Sequence, residues 1–267
     1  MAYKADYHVH TRFSLDSHTP MKRMIEKGIN LDLNEVCFTE HMEFDYPGKY
    51  IFEVDYDHYV PKVNQYKDKY KNKIQIKCGV EVGLQPDVLD KVQSFIEAYP
   101  FDYVIGSVHV IKKLDPYTGE YFTNKTQKQA YEGYFTEILN VIKSCEHFNC
   151  LGHLDYVIRY HPSDKKHYEY NDYRELLDEI LKTLIVNNKG IEVNSSGFRK
   201  GLAQPHPQNN VIKRYKELGG QIITTGSDAH RTSELCSDFS TVYDYLKSIG
   251  FNYVTTFTQG KPDFKKI

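Results

Sequence analysis

Short runs rich in β-branched and aromatic residues alternate along this chain with longer stretches whose apolar positions recur every three or four residues. The runs fall at 7–10, 35–39, 74–82, 103–108, 150–153, 190–194 and 221–225, and a last one at 253–256 is a candidate eighth. The stretches at 20–30, 57–70, 126–145, 173–188 and 208–218 each carry an apolar stripe opposite a charged face, the pattern of a helix packed on a core. Strand and helix in strict alternation predict repeated βα units around a mostly parallel sheet. The punctuation agrees: Pro20 opens the first helix, where a missing N–H costs nothing, and the Gly219-Gly220 pair closes the helix before the seventh run, where a positive φ is often needed.

What happens at the ends of the runs changes the picture. His8-Val9-His10 closes the first, and residues two apart on a strand share a face, so both imidazoles point the same way. Asp228-Ala229-His230 repeats the device after the seventh. His41, Glu81, His109 and His153 stand at or just beyond the ends of four more, and Asp16 lies in the turn after the first. Six histidines and three carboxylates so placed predict a polynuclear metal site. His18, His58, His147, His161, His167 and His206 fall in loops or helical stretches and are read as ordinary surface or core residues. An open sheet would spread the strand ends along a line of more than about 20 Å at ~4.8 Å per strand, whereas a closed barrel gathers them on one face. The ligand pattern therefore favours a barrel.

Composition sets the limits. A chain of 267 residues suits one closed α/β barrel spanning 1–267, and no Pro/Gly/Ser-rich linker divides it. A hydrophobic fraction of 40% fills a core, yet no stretch approaches the ~20 apolar residues of a membrane span. No apolar leader precedes the first strand, and five cysteines without CxxC spacing suit reduced thiols, so a cytoplasmic protein is expected. A net charge of -2 argues against nucleic acid as a partner; the lysine-rich 66–73 reads as a solvated helix face.

With these residues placed, the chain resembles the polymerase and histidinol phosphatase (PHP) family of metal-dependent phosphoesterases. The motifs that carry the resemblance are Asp6-Tyr7-His8-Val9-His10-Thr11, Phe38-Thr39-Glu40-His41, Gly79-Val80-Glu81, Gly106-Ser107-Val108-His109, Gly152-His153-Leu154-Asp155 and Gly226-Ser227-Asp228-Ala229-His230, in the family's order. The resemblance implies a distorted (β/α)7 TIM-like barrel with a trinuclear metal centre at the carboxyl ends of its strands. It implies one metal on His8, His10, Glu81 and Asp228, a second on bridging Glu81 with His109 and His153, and a third on Asp16, His41 and His230. Imidazole and carboxylate ligands without a thiolate point to zinc first, with manganese or iron as rivals.

Three divalent ions outweigh three ligand carboxylates and one hydroxide, leaving a positive cleft that a phosphate monoester dianion would neutralise. The implied reaction is hydrolysis by a hydroxide held between two metals, with Glu81, Asp228 and His230 as the catalytic residues and Asp228, His230 or a water donating the proton to the leaving alkoxide. Within the family, Asp6 to Ser17 and Glu192-Val193-Asn194-Ser195-Ser196-Gly197 resemble the stand-alone histidinol phosphatases, which implies L-histidinol phosphate as substrate; a nucleotide phosphatase or an exonuclease on single-stranded nucleic acid is the alternative. Ser17, Arg159 and Arg199 are candidate phosphate contacts. The loop 112–124, with Asp115, Tyr117 and Glu120, is a source of contacts to the rest of the substrate. Glu40, His18, Asp155 and His206 are candidates for orienting the ligand imidazoles. The sequence carries no reading of oligomeric state.

Overall fold

Residues 2–163 and 166–267 are described in this computed structural model. Seven parallel strands, β1 (Ala5–Val9), β2 (Glu35–Met42), β3 (Gln75–Gly83), β4 (Tyr103–Ser107), β5 (Cys150–Leu151), β6 (Gly190–Asn194) and β7 (Ile223–Gly226), pair in sequence order. The ring closes between β7 and β1, where Thr225 Oγ1 donates to the Ala5 carbonyl at 2.9 Å, Val9 bridges Ala229, and His10 N donates to the Ala229 carbonyl at 2.9 Å. This is the barrel that the strand ends predicted, in the distorted TIM-like form that the family resemblance implied.

The outer layer holds α1 (Met21–Asn30), α2 (Tyr56–Tyr70), α3 (Leu89–Ala98), α4 (Gln127–Ser144), α5 (Arg174–Val186), a short α6 (Ser196–Arg199), α7 (Asn209–Glu217) and α8 (Phe239–Ser248). Their starts and stops follow the local chemistry. Thr126 and Gln129 form a reciprocal capping box at the head of α4, and Gly219, at φ +92°, ends the turn after α7. Where a helix meets the barrel it also satisfies polar groups: Tyr59 of α2 donates to the Phe38 carbonyl at 2.7 Å. No described helix is long and apolar enough to cross a membrane.

Two apolar layers result. The larger lies between strands and helices; the smaller is inside the ring, where Tyr7, Cys37, Tyr103, Ile105, Cys150 and Phe257 meet. Phe257 comes from β8 (Tyr253–Thr258), which does not join the barrel. The run expected as an eighth strand instead pairs antiparallel with β9 (Lys261–Lys266) through a two-residue turn in which Gln259 and Gly260 both have positive φ, as such a hairpin needs. The hairpin sits under the ring: Phe257 N donates to Tyr7 Oη at 2.7 Å and Ile223 N to Thr255 Oγ1 at 3.1 Å. Phe257→Ala should lower unfolding stability by about 3 to 5 kcal/mol, because the ring fills an enclosed interior that cannot collapse. Urea denaturation reads this, and a loss under 1 kcal/mol would show that the hairpin is dispensable to the core.

β1 departs from simple alternation. Ala5 and Asp6 pair with Glu35 and Val36, but Val9 pairs with Phe38, so Tyr7 and His8 together face the single Cys37. This bulge turns the strand by one position. Tyr7 reaches into the inner apolar layer, and His8 and His10 reach the cavity above it, while Val9 joins the outer core.

Candidate metal centre

Glu81, near the end of β3, is the point on which the cavity converges. Its Oε2 lies 3.1 Å from His8 Nε2, 3.3 Å from His10 Nε2 and 3.1 Å from His41 Nδ1. Its Oε1 lies 3.0 Å from His153 Nε2 and 3.4 Å from His109 Nε2. Asp228 Oδ1 stands 3.8 Å from His8 Nε2 and 3.7 Å from His10 Nε2, and Asp16 Oδ2 stands 3.0 Å from His230 Nε2 and 3.4 Å from His41 Nε2. The nine positions picked from strand ends thus share one cavity. Seven are buried; His230 is half-buried, and Asp16 at the mouth is exposed.

Two observations test whether this cavity suits metal ions. His8 Nε2, His10 Nε2, His41 Nδ1 and Glu81 Oε2 are buried without a hydrogen-bond partner, an arrangement a folded protein tolerates only where something else satisfies them. Further, ligand atoms of His8, His10 and Asp228, of His8, Glu81 and His153, of His41, Glu81 and His109, and of His10, His41 and His230 gather in sets whose members lie within 4.8 Å of one another. The donor set fits several divalent ions.

The electrostatics point the same way. Burial, followed by the neighbouring His41 and His230, holds the His10 imidazolium down to about 3, and burial holds His153 down to about 4, so both offer a free lone pair at neutral pH. Burial also opposes charge on His8 and His41, but Glu192 and Glu81 around His8, and Asp16 and Glu81 around His41, overcome it and raise both. Burial would raise Glu81; His8, His109 and His41 instead drive it well below the usual carboxylate range. The buried carboxylates demand positive charge from the imidazoles, and metal ions meet that demand in place of protons.

A second ring of carboxylates, which the strand-end reading missed, fixes the imidazoles from behind. Glu192 of β6 contacts His8 Nδ1 at 2.6 Å and accepts from His153 N at 2.9 Å; Glu43, after β2, contacts His109 Nδ1 at 2.5 Å. Space for them is made by glycine: a Cβ on Gly226 would lie 2.1 Å from Glu192 Oε1, and one on Gly83 would lie 1.8 Å from Glu43 Oε2. Glu40 acts at one remove, accepting from the backbone and hydroxyl groups of Thr11 and Ser14, with Ser14 Oγ 3.3 Å from His10 Nδ1. Glu192→Ala should weaken metal binding about 10- to 100-fold. Competition with a chromophoric chelator measures this, and unaltered affinity would remove Glu192 from the assembly.

The other sequence candidates divide. Arg159, buried in the 3-10 turn Tyr156–Tyr160, points at the cavity: NH2 donates to Asp228 Oδ2 at 3.3 Å and to Ser196 Oγ at 2.6 Å. Ser17 Oγ donates to the His230 carbonyl at 2.8 Å, and Arg199 donates to the Ser227 carbonyl at 2.8 Å and the Asp228 carbonyl at 3.2 Å, so both grip the loop that carries Asp228 and His230. In the loop 112–124, Asp115 is buried and accepts from Tyr46 Oη at 2.7 Å, Tyr117 is exposed and packs edge-on against Tyr160, and Glu120 faces solvent. His18 is exposed, whereas His206 is fully buried 2.5 Å from Asp155.

A cavity of imidazoles and carboxylates at the carboxyl ends of a parallel barrel defines a metal-dependent barrel enzyme. The PHP domain matches residues 6–196, and the chain belongs to the PHP family. It is 34% identical over 264 residues to the histidinol-phosphatase of Lactococcus lactis, covering 98% of this chain and 97% of that one. Its structure is similar to that of the Lactococcus lactis histidinol phosphate phosphatase crystallised with zinc, L-histidinol and phosphate, with a TM-score of 0.92 at 35% identity over 97% of this chain and 98% of that chain. A Listeria monocytogenes protein shares the fold, with a TM-score of 0.75 at 21% identity over 89% of this chain and 99% of that one.

Proposed function

We propose that this protein is a phosphomonoesterase that hydrolyses L-histidinol phosphate to L-histidinol and inorganic phosphate, a step of histidine biosynthesis in the cytoplasm. The observation that carries the reading is the similarity, over almost the full length of both chains, to a histidinol phosphate phosphatase crystallised with zinc, L-histidinol and phosphate. Three divalent ions, zinc first, would be held by His8, His10, Glu81 and Asp228, by Glu81, His109 and His153, and by Asp16, His41 and His230. Bound there, such ions supply a hydroxide-like nucleophile near neutral pH, lowering the pKa of water from ~15.7 towards about 7, and offset charge on the phosphate.

The chain's own groups do the rest. Glu81 is placed between the first two ligand sets, and its two oxygens face different imidazoles. Asp228 divides likewise, Oδ1 towards His8 and His10 and Oδ2 towards Arg159, which is placed to meet a phosphate oxygen. His230 is the more exposed of the two groups that could hand a proton to the leaving alkoxide. Tyr156 packs on both His109 and His153 and, with Tyr160, walls the side of the cavity on which Asp115 lies, keeping water from that flank. Steady-state assay of the metal-loaded protein with L-histidinol phosphate, nucleoside monophosphates and single-stranded DNA tests the reading. The first should give the highest kcat/KM; a higher value for either nucleic substrate overturns it.

A further inference from the structure

Behind Arg159 lies a buried pair that no step so far uses. Asp155 Oδ1 is 2.5 Å from His206 Nδ1, and both residues are fully buried. The other carboxylate oxygen is committed elsewhere: Asp155 Oδ2 accepts from Gln208 N at 2.9 Å and from Tyr168 Oη at 3.2 Å. The backbone of His206 is itself pinned to the end of β6, with Asn194 N donating to the His206 carbonyl at 2.7 Å and His206 N to the Asn194 carbonyl at 2.8 Å. The far ring nitrogen, Nε2, faces Arg159 Nε at 3.4 Å. An arginine Nε–H only donates, so His206 Nε2 must accept, and the imidazole must be neutral with its hydrogen on Nδ1. Asp155 selects that tautomer by accepting this hydrogen.

We propose that Asp155 and His206 are a positioning pair for Arg159, holding one edge of its guanidinium so that the other edge faces Asp228 and the phosphate of the substrate. The sequence-level expectation that these two residues orient a ligand imidazole is thereby replaced: their partner is the arginine. Without the hold on Nε, the long side chain regains rotamers that point its fork away from the cavity, and the ordering is then made at the expense of substrate binding. The guanidinium carbon also lies 5.3 Å from the Tyr156 ring and 6.0 Å from the Tyr160 ring, contacts that hold the plane of the group without fixing the direction of its fork. The proposal rests on the reading of Arg159 as a phosphate contact, and its test separates the two.

The test compares Arg159→Ala, His206→Ala, Asp155→Asn and the double variant R159A/H206A, all reconstituted with zinc and checked for metal content by mass spectrometry. The readouts are KM for L-histidinol phosphate and the competitive inhibition constant of inorganic phosphate. Arg159→Ala should raise both at least about tenfold, the scale of a lost charge-assisted hydrogen bond. His206→Ala should raise both about three- to tenfold alone and add nothing in the Arg159→Ala background, since there is then nothing to position. Asp155→Asn keeps shape and volume and discriminates further. Its carbonyl must stay on Gln208 N and Tyr168 Oη, so its amide NH2 meets His206 Nδ1, moves the imidazole hydrogen to Nε2 and sets it against Arg159 Nε–H. It should therefore match His206→Ala. Unchanged phosphate binding in Arg159→Ala would overturn the underlying reading of the arginine. An effect of Arg159→Ala with no effect of Asp155→Asn, additive losses in the double variant, or loss of metal confined to the His206 variant would each overturn the positioning pair.

Discussion

Glu81→Ala should reduce kcat by at least on the order of 10^3-fold while leaving the barrel folded. The carboxylate has contacts with five imidazoles, reaching His8, His10 and His41 through Oε2 and His153 and His109 through Oε1. In the proposed cluster its removal would take a ligand from two metal positions at once, so that nucleophile formation and phosphate stabilisation would fail together. The fold survives because the side chain belongs to neither apolar layer. The imidazoles are not left without counter-charge either, because Glu192 beside His8, Glu43 beside His109 and Asp16 beside His41 remain in the variant. Initial-rate kinetics, metal content and far-UV circular dichroism decide the matter: a folded variant with wild-type-like kcat would contradict the cluster assignment.

Metal removal should be as severe and, unlike a substitution, reversible. Dialysis against a chelator should abolish hydrolysis, and zinc, manganese or iron(II) added back singly should restore it to different extents that rank the ions. Stability should follow, because any ion bound by the folded chain alone adds about 2.7 kcal/mol when present at 100 times its Kd. The melting temperature should thus fall on chelation and rise with added metal. Retained activity in protein shown to hold no metal would end the metal-dependent reading.

The sequence shows the barrel and the inner ring of the site for one reason: a histidine at the end of an apolar run is conspicuous. Period-two spacing made His8 with His10, and Asp228 with His230, legible as pairs, and strand order did the rest. The outer carboxylates lack that contrast. Glu192 sits in the middle of its strand, and its inward direction became visible only with β6 in place; the one available signal was that β6 alone among the seven strands supplied no candidate ligand. Glu43 carried a fainter sign, standing two residues after His41 and hence on the same face. The bulge in β1 left no mark, since a register shift is a relation between two strands and the pattern of one strand does not contain it. Residues 253–256 have the composition of a barrel strand, and what sends them into a hairpin is the pair of positive-φ residues at 259 and 260. Ser17 and Arg199 are singled out by their place after strand ends and by the fit of an arginine fork to phosphate, and neither cue reveals that Ser17 Oγ and Arg199 NH2 donate to carbonyls of the loop that carries Asp228 and His230.

The plug formed by Tyr7, Tyr103 and Phe257 fills the ring beneath the ligand cluster, whose most exposed members are Asp16 and His230. On the proposed reading, ester, alcohol and inorganic phosphate would all be exchanged on the side of Asp16 and His230. Phosphate that accumulates there would compete with incoming ester for the same place.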